Sequence, residues 1–302
     1  MDKGRVVAKS IILLSQSPPL VFLLVLGENR QLCVRGLILE RGVLMAVVHK
    51  KGSPLFDQAI KYGLGGVACF AIIFAAYRAF ELGVLPGSYD ALNIILVVSL
   101  FLGGYLLSQC SRRCSGSWGE HKAFLALSKE LPDQYHLFVN VSVHEKMESD
   151  MVVVGPNGVF IVEVKSFNGT LEGGVNDRKW VLHKVGREGG RYTKTIKNPL
   201  GQLKRNIAIL SQYLKLERCS AWIDGVVLFP NDDTEWQDGV PEKCFCEAKG
   251  VAEHITCFEP RRPLSENLMG KLIASLEKCQ EGSAMTLEEF TDKTKSLQKR
   301  FA

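Results

Sequence analysis

The stretch SDMVVVGPNGVFIVEVKSFNG, residues 149–169, places two β-prone runs around the turn signal Gly155-Pro156-Asn157-Gly158. Closed symmetrically about that turn, the hairpin sets Val154 against Val159 and Asp150 against Glu163. Directly opposed residues have Cβ atoms ~4.5–5.5 Å apart, near enough for two carboxylates to share one cation. Strand alternation points Lys165 to the same face as Glu163. Two carboxylates side by side on an apolar hairpin repel each other and are costly to desolvate, and a divalent cation offsets both effects. The bland alternative is a solvent-facing strand edge with alternating charges, which Glu163-Val164-Lys165 alone would satisfy. Asp150 at the matching position tips the reading toward a site.

Working outward, the chain from Gly119 reads as α/β. Helices are expected near 119–130, 198–214, 265–278 and 286–299, the last opening with a Thr286…Glu289 capping box. Strands are expected at 136–143 and 225–229, besides the hairpin. Upstream, Ala91 to Ser111 carries no charge and is long enough for a bilayer core of ~30 Å. Tyr62 to Tyr77 is a second uncharged run, and Pro86-Gly87-Ser88 supplies the turn between them. A buried hairpin in a soluble fold is the alternative. Lys50, Lys51 and Lys61 before the pair, and Arg112 and Arg113 after it, place both ends in the cytosol, and the expected location is the inner (plasma) membrane. The basic, apolar N-terminus faintly resembles a signal peptide, but Pro18-Pro19 interrupts it and no cleavage site follows. Residues 20–49 read as short strands with no assignable chemistry. The division is thus 1–60, an N-terminal region of short strands; 61–113, the helical hairpin; 114–230, the core with the carboxylates; and 231–302, a helical extension.

The formal net charge of +5 is concentrated upstream, because from Gly119 onward 25 basic residues stand against 26 acidic ones. Global charge therefore argues for no nucleic-acid partner. A local patch does: Arg178, Lys179, Lys184, Arg187, Arg191, Lys194, Lys197, Lys204 and Arg205 are opposed by Glu188 alone. Trp180 and Tyr192 within it have the chemistry to stack on bases, although a tryptophan here also suits the core, and a solvated loop is the plain alternative. Nine scattered cysteines fit a reducing compartment better than a disulfide framework. Cys244, Cys246, His254 and Cys257 are metal-ligand types at no zinc-binding spacing, so zinc there is not expected.

The arrangement Asp150…Glu163-x-Lys165 resembles the PD-(D/E)xK nuclease signature, and its surroundings are similar to the nuclease-related domain, or NERD, family. The supporting text is Gly119-Glu120 on a first helix, Asp150 before the valines, Gly158-Val159-Phe160-Ile161-Val162-Glu163-Val164-Lys165, Gly169, and Asn198-Pro199-Leu200-Gly201-Gln202 heading a later helix. It departs in Ser149, where a branched aliphatic is common, and in Ser166-Phe167-Asn168 in place of Asn-Trp. The resemblance implies a restriction-endonuclease-like core, a central mixed sheet flanked by helices, here preceded by a two-helix transmembrane hairpin. It implies Mg²⁺- (or Mn²⁺-) dependent phosphodiester cleavage with Asp150, Glu163 and Lys165 catalytic, Glu120 and Gln202 supporting, and Asp150, Glu163 and Val164 holding the metal. A glutamate at position 120 also suits a helix dipole. The partners expected are DNA, with RNA not excluded, the lipid bilayer, and a second copy of the chain or a partner defence protein. A homodimer would use Gly65, Gly66, Gly103 and Gly104 for close helix approach. Two other readings compete: a non-catalytic nuclease-fold scaffold that recruits nucleic acid or a protein to the membrane, and a small transporter, which the lack of a mid-depth carboxylate disfavours.

Overall fold

The computed structural model describes residues 23–26, 32–35, 46–49, 54–83, 89–186, 189–280 and 285–301. In chain order the elements are β1 (Leu23–Leu26), β2 (Leu32–Arg35), β3 (Val47–His49), α1 (Pro54–Glu81), α2 (Tyr89–Glu130), β4 (His136–His144), β5 (Met147–Gly155), β6 (Gly158–Val164), β7 (Gly169–Glu172), β8 (Lys179–Val185), β9 (Arg191–Lys197), α3 (Pro199–Leu216), β10 (Ile223–Leu228), β11 (Thr234–Trp236), β12 (Cys244–Phe245), α4 (Ala248–Thr256), α5 (Glu266–Gln280) and α6 (Leu287–Phe301). The chain divides into two compact units, one of Met1–Lys51 with Gly119–Ala302 and one of Gly52–Trp118.

The smaller unit holds α1 and the first part of α2. Its apolar side chains face outward: Leu64, Val67, Phe74 and Phe101 are all exposed. Only 17% of the apolar window of α1 and 6% of that of α2 is buried, which is not how a soluble core hairpin is built. Both helices are long and apolar enough to cross a membrane. They meet through glycine. A Cβ on Gly66 would stand 2.8 Å from Leu107, one on Gly65 3.2 Å from Leu106, and one on Gly103 3.2 Å from Cys69. Three of the four glycines assigned above to dimerisation are therefore used within the hairpin, and only Gly104 faces open space. At one end Arg113 lies 4.3 Å over the Tyr62 ring and donates to Gln58 Oε1 at 3.0 Å.

The expected break before the first core helix is absent. α2 runs unbroken to Glu130: Ser115-Gly116-Ser117 contains no proline to stop it, and the Ser115 hydroxyl is accommodated by bonding back to the Ser111 carbonyl at 3.0 Å. From Gly119 the helix belongs to the larger unit.

There the central sheet has the order β12-β10-β6-β5-β4-β3 and is mixed: β4, β5 and β6 are antiparallel neighbours, while β3, β10 and β12 pair in parallel. Both faces are covered, so β6 is buried along its whole length and reads as a nearly continuous apolar run. Val152, Val154, Val159 and Ile161 join one core with Leu203 and Leu210 of α3 and Leu272 and Leu276 of α5. Met151, Val153, Phe160 and Val162 join the other, with Ala123, Phe124 and Leu127 of α2 and Val251 and Ile255 of α4. This is the mixed α/β sheet flanked by helices that the resemblance implies.

Two boundaries move. β3 lies within the 1–60 region but closes the edge of the central sheet beside β4 (Val47↔His136), so that region is not wholly separate from the core. Residues 231–302 are likewise no appendage, since β11 and β12 add strands to the two sheets and α5 packs on the first core. A second sheet, β11-β7-β8-β9, occupies what reads in sequence as a charged loop. Its inner face carries Leu171, Trp180, Leu182 and Trp236 into the core, so Trp180 is wholly buried and cannot stack on a base. The capping box forms as expected, Glu289 N–H donating to Thr286 Oγ1 and Thr286 N–H to Glu289 Oε2.

Candidate active site

The hairpin register is the one that the turn dictates: Gly155↔Gly158, Val154↔Val159 and Met151↔Val162. One step further along the same register, Asp150 and Glu163 stand opposite one another. They share the face of Val152 and Ile161, which looks toward α3. Asp150 Oδ2 accepts the Val164 N–H at 2.7 Å. Glu163 is fully buried, with Lys165 Nζ 3.4 Å from its Oε2.

α3 supplies the rest. Asn198 caps it, its Oδ1 accepting the Leu200 N–H at 2.9 Å and its amide donating to the Asp177 carbonyl at 2.7 Å, with Pro199 in the first turn. This fixes the helix so that Gln202 Nε2 donates to Glu163 Oε2 at 2.7 Å. The supporting role that the resemblance implies for Gln202 is thus exercised on the carboxylate of Glu163. One turn on, Asn206 Nδ2 donates to Glu163 Oε1 at 2.6 Å and to the Glu148 carbonyl at 2.9 Å. Sequence reasoning misses Asn206. Its i+4 spacing from Gln202 on one helix face is the available signal. Ser149, the first of the two departures noted above, is fully buried with its Oγ 3.4 Å from that same amide.

The electrostatics are those of an anion pair out of water. Burial, then the Asp150 charge, push Glu163 up to about 7, against Lys165 and the Asn206 amide, which lower it. Burial likewise raises Asp150, against Lys165 and the Val164 N–H. The two groups are best treated as one coupled acid that gives up its second proton reluctantly.

Glu120 is placed through its neighbour. Gly119 packs so closely on Ser166, the residue after Lys165, that a Cβ there would meet Ser166 Oγ at 1.6 Å. Glu120 is half-buried beside this contact. Among the described residues no group of three or more His, Cys, Asp or Glu side chains is arranged to hold a metal ion. A divalent ion here would take Asp150, Glu163 and the only donor Val164 can offer, its carbonyl oxygen. That hard-oxygen set suits Mg²⁺ or Mn²⁺, which keep several waters. The fit is supported by two carboxyls that burial holds above their ordinary range and by Asn206 Oδ1, buried beside them without a donor.

Of the basic residues, Arg178, Lys179, Arg191, Lys194, Lys197, Lys204 and Arg205 are all exposed, and Arg187 lies outside the described residues. They do not form one surface. Lys179 opposes Lys197 on the outer face of the β8–β9 pair, with Arg191 on that face too, whereas Lys194 opposes Leu182 on the other. Lys204 and Arg205 project from α3. Among the cysteine–histidine candidates, Cys244 is buried, Cys246 and Cys257 are exposed, and His254 faces Asp224 at 3.4 Å.

Comparison with known proteins places the domain. No curated protein and no solved structure matches the chain. Residues 115–230 match the family model described as nuclease-related domain. That span contains the carboxylate hairpin, Lys165 and the helix bearing Gln202 and Asn206. Residues 115–230, downstream of two apolar helices, are therefore similar to the nuclease-related domain, NERD.

Proposed function

We propose that this protein is a membrane-anchored, divalent-metal-dependent nuclease that hydrolyses phosphodiester bonds of DNA on the cytosolic side of the inner membrane. The observation that carries it is Asp150 and Glu163 opposed at one end of a buried hairpin, with Lys165 beside them and two amides of α3 on Glu163. A scaffold has no need for paired, desolvated carboxylates. A bound Mg²⁺ or Mn²⁺ would supply the charge that activates a water and offsets the charge building on the phosphate. The chain does the rest. Asn206 and Gln202 hold the Glu163 carboxylate in one orientation. Lys165, partly exposed, offers its ammonium to the phosphate oxygens and is the group placed to orient the attacking water. Tethering by α1 and α2 would concentrate such a domain where phage or plasmid DNA enters, which supports a defence role.

The test is cleavage of plasmid and oligonucleotide DNA by the full chain in detergent micelles, with Mg²⁺, Mn²⁺ or EDTA. Metal-dependent cutting abolished by Glu163→Ala and by Lys165→Ala is expected. A folded wild type that cuts nothing but retains DNA would favour the scaffold reading.

A further inference from the structure

The outer face of the second sheet has a feature that the catalytic reading leaves unused. Register aligns Glu235 with Thr170, Thr170 with His183, and His183 with Thr193. One row of carboxylate, hydroxyl, imidazole and hydroxyl thus crosses all four strands, β11-β7-β8-β9, on the face away from Trp180 and Leu182. Two contacts orient it: Thr170 Oγ1 donates to Glu235 Oε2 at 3.4 Å within the row, and His183 Nε2 lies 2.9 Å from Oε2 of Glu172 beside it. It floors a groove of about 860 Å³ whose walls include Asn168, Arg191 and Asp233.

Position ties the groove to the catalytic hairpin. β7 begins at Gly169, four residues beyond Lys165. The connecting loop is pinned, with Thr234 Oγ1 donating to the Phe167 carbonyl at 2.6 Å and Gly169 N–H to the Asp233 carbonyl at 2.9 Å. Asn168 and Gly169, three and four residues beyond Lys165, themselves line the groove. Four strands spaced ~4.8 Å apart give a floor of about 14 Å, room for several bases at ~3.4 Å each.

The chemistry selects the ligand. A groove built for duplex backbone would be lined predominantly with Lys and Arg, whereas this one balances Glu235 and Asp233 against Lys184 and Arg191 and adds the neutral amides of Asn168 and Gln237. Carboxylates repel phosphate and accept from base N–H donors, which an unpaired strand presents freely on its Watson–Crick edges. We infer that the Glu235–Thr170–His183–Thr193 row binds the bases of a single-stranded DNA segment adjoining the cleavage site, so that the enzyme acts on unpaired or flapped DNA. This rests on the nuclease reading for its direction along the strand, but binding tests it separately.

The full chain in detergent micelles is titrated, in EDTA, against a fluorescein-labelled single-stranded oligodeoxynucleotide of mixed sequence and against a blunt duplex. Glu235→Ala is expected to weaken single-strand binding about ten-fold, the size of one good base-edge contact, and to leave the duplex unchanged or slightly tighter. Thr193→Val, a surface change in the same row, is expected to act in the same direction. The sign is decisive. If Glu235 only repels DNA, its removal tightens single-strand binding, and that result, an unchanged affinity, or no single-strand binding by the wild type overturns the inference. Failure of the nuclease reading shows elsewhere, as no cleavage by the wild type in Mg²⁺.

Discussion

Replacing Glu163 with glutamine removes one charge from the buried pair and keeps its shape. The folded protein holds this carboxyl at about 7 against 4.5 for a free glutamate, mainly through burial and the neighbouring Asp150. The sign follows from linkage. Between those two values the folded state binds more protons than the unfolded one, so stability falls as pH rises from 4.5 and levels above 7. At ~1.4 kcal/mol per pH unit, ionised Glu163 costs the metal-free protein about 3 kcal/mol at pH 8. Glutamine escapes that cost. It must, however, turn its own amide N–H₂ toward either Asn206 or Gln202, both donors, and so loses about 1–2 kcal/mol in hydrogen bonding. In EDTA at pH 8 the variant is therefore expected to be more stable than the wild type by about 1–2 kcal/mol, or roughly 2–8 °C in Tm. Saturating Mg²⁺ reverses the order, since a ligand at ~100 times its Kd stabilises the wild type by about 2.7 kcal/mol while the variant has only one of the two carboxylate ligands. Thermal unfolding followed by tryptophan fluorescence reads this out, because Trp180 is buried in the same core. A variant less stable than the wild type in EDTA, with Mg²⁺ stabilising both equally, would refute both the repulsion and the metal assignment.

Asn206→Ala should lower Mg²⁺ affinity and cleavage about 10–100-fold, as removal of a group that orients a ligand does, with Asn206→Gln failing to rescue because the extra methylene displaces the amide; metal titration by calorimetry checks it. Mg²⁺ binding should weaken steadily as pH falls below about 7, where Glu163 takes up its proton, and a pH-independent Kd between 6 and 8 would contradict the buried-pair account. Gly119→Ala should destabilise the domain by about 1–3 kcal/mol through the Ser166 clash, and Ser166→Gly in the same chain should restore much of the stability, as a double-mutant denaturation cycle would show. Replacing Lys179 and Lys197 together with glutamine should flatten the salt dependence of single-strand binding by about 0.7 for each phosphate no longer neutralised, and should also relieve the like-charge pair that they form across β8 and β9.

Much of the site is written locally. A turn sequence between two β-prone runs fixes the hairpin register, and the register alone opposes Asp150 and Glu163 and aligns Lys165, because side-chain direction in a strand depends only on parity. The Asn198-Pro199 start of α3 and the Thr286…Glu289 box are legible for the same reason, each being completed within four residues. The two apolar helices announce themselves by length and the absence of charge.

What only the tertiary structure decides are relations between segments far apart in the chain. Nothing near Val47 says that it closes the sheet beside His136, and nothing near Gly65 or Gly66 says whether they meet Leu106 and Leu107 of the same chain or a neighbour's helix. The charges from Arg178 to Arg205 look like one patch because sequence counts residues, whereas two antiparallel strands deal successive side chains to opposite faces and a helix carries the last two elsewhere. Gln202 reads only as a supporting residue without a stated partner, and Asn206 goes unread, until α3 packs across the hairpin. A buried carboxylate must find donors or change its pKa, and here those donors come from a helix about forty residues away in sequence, a distance across which only the fold can bring them to Glu163.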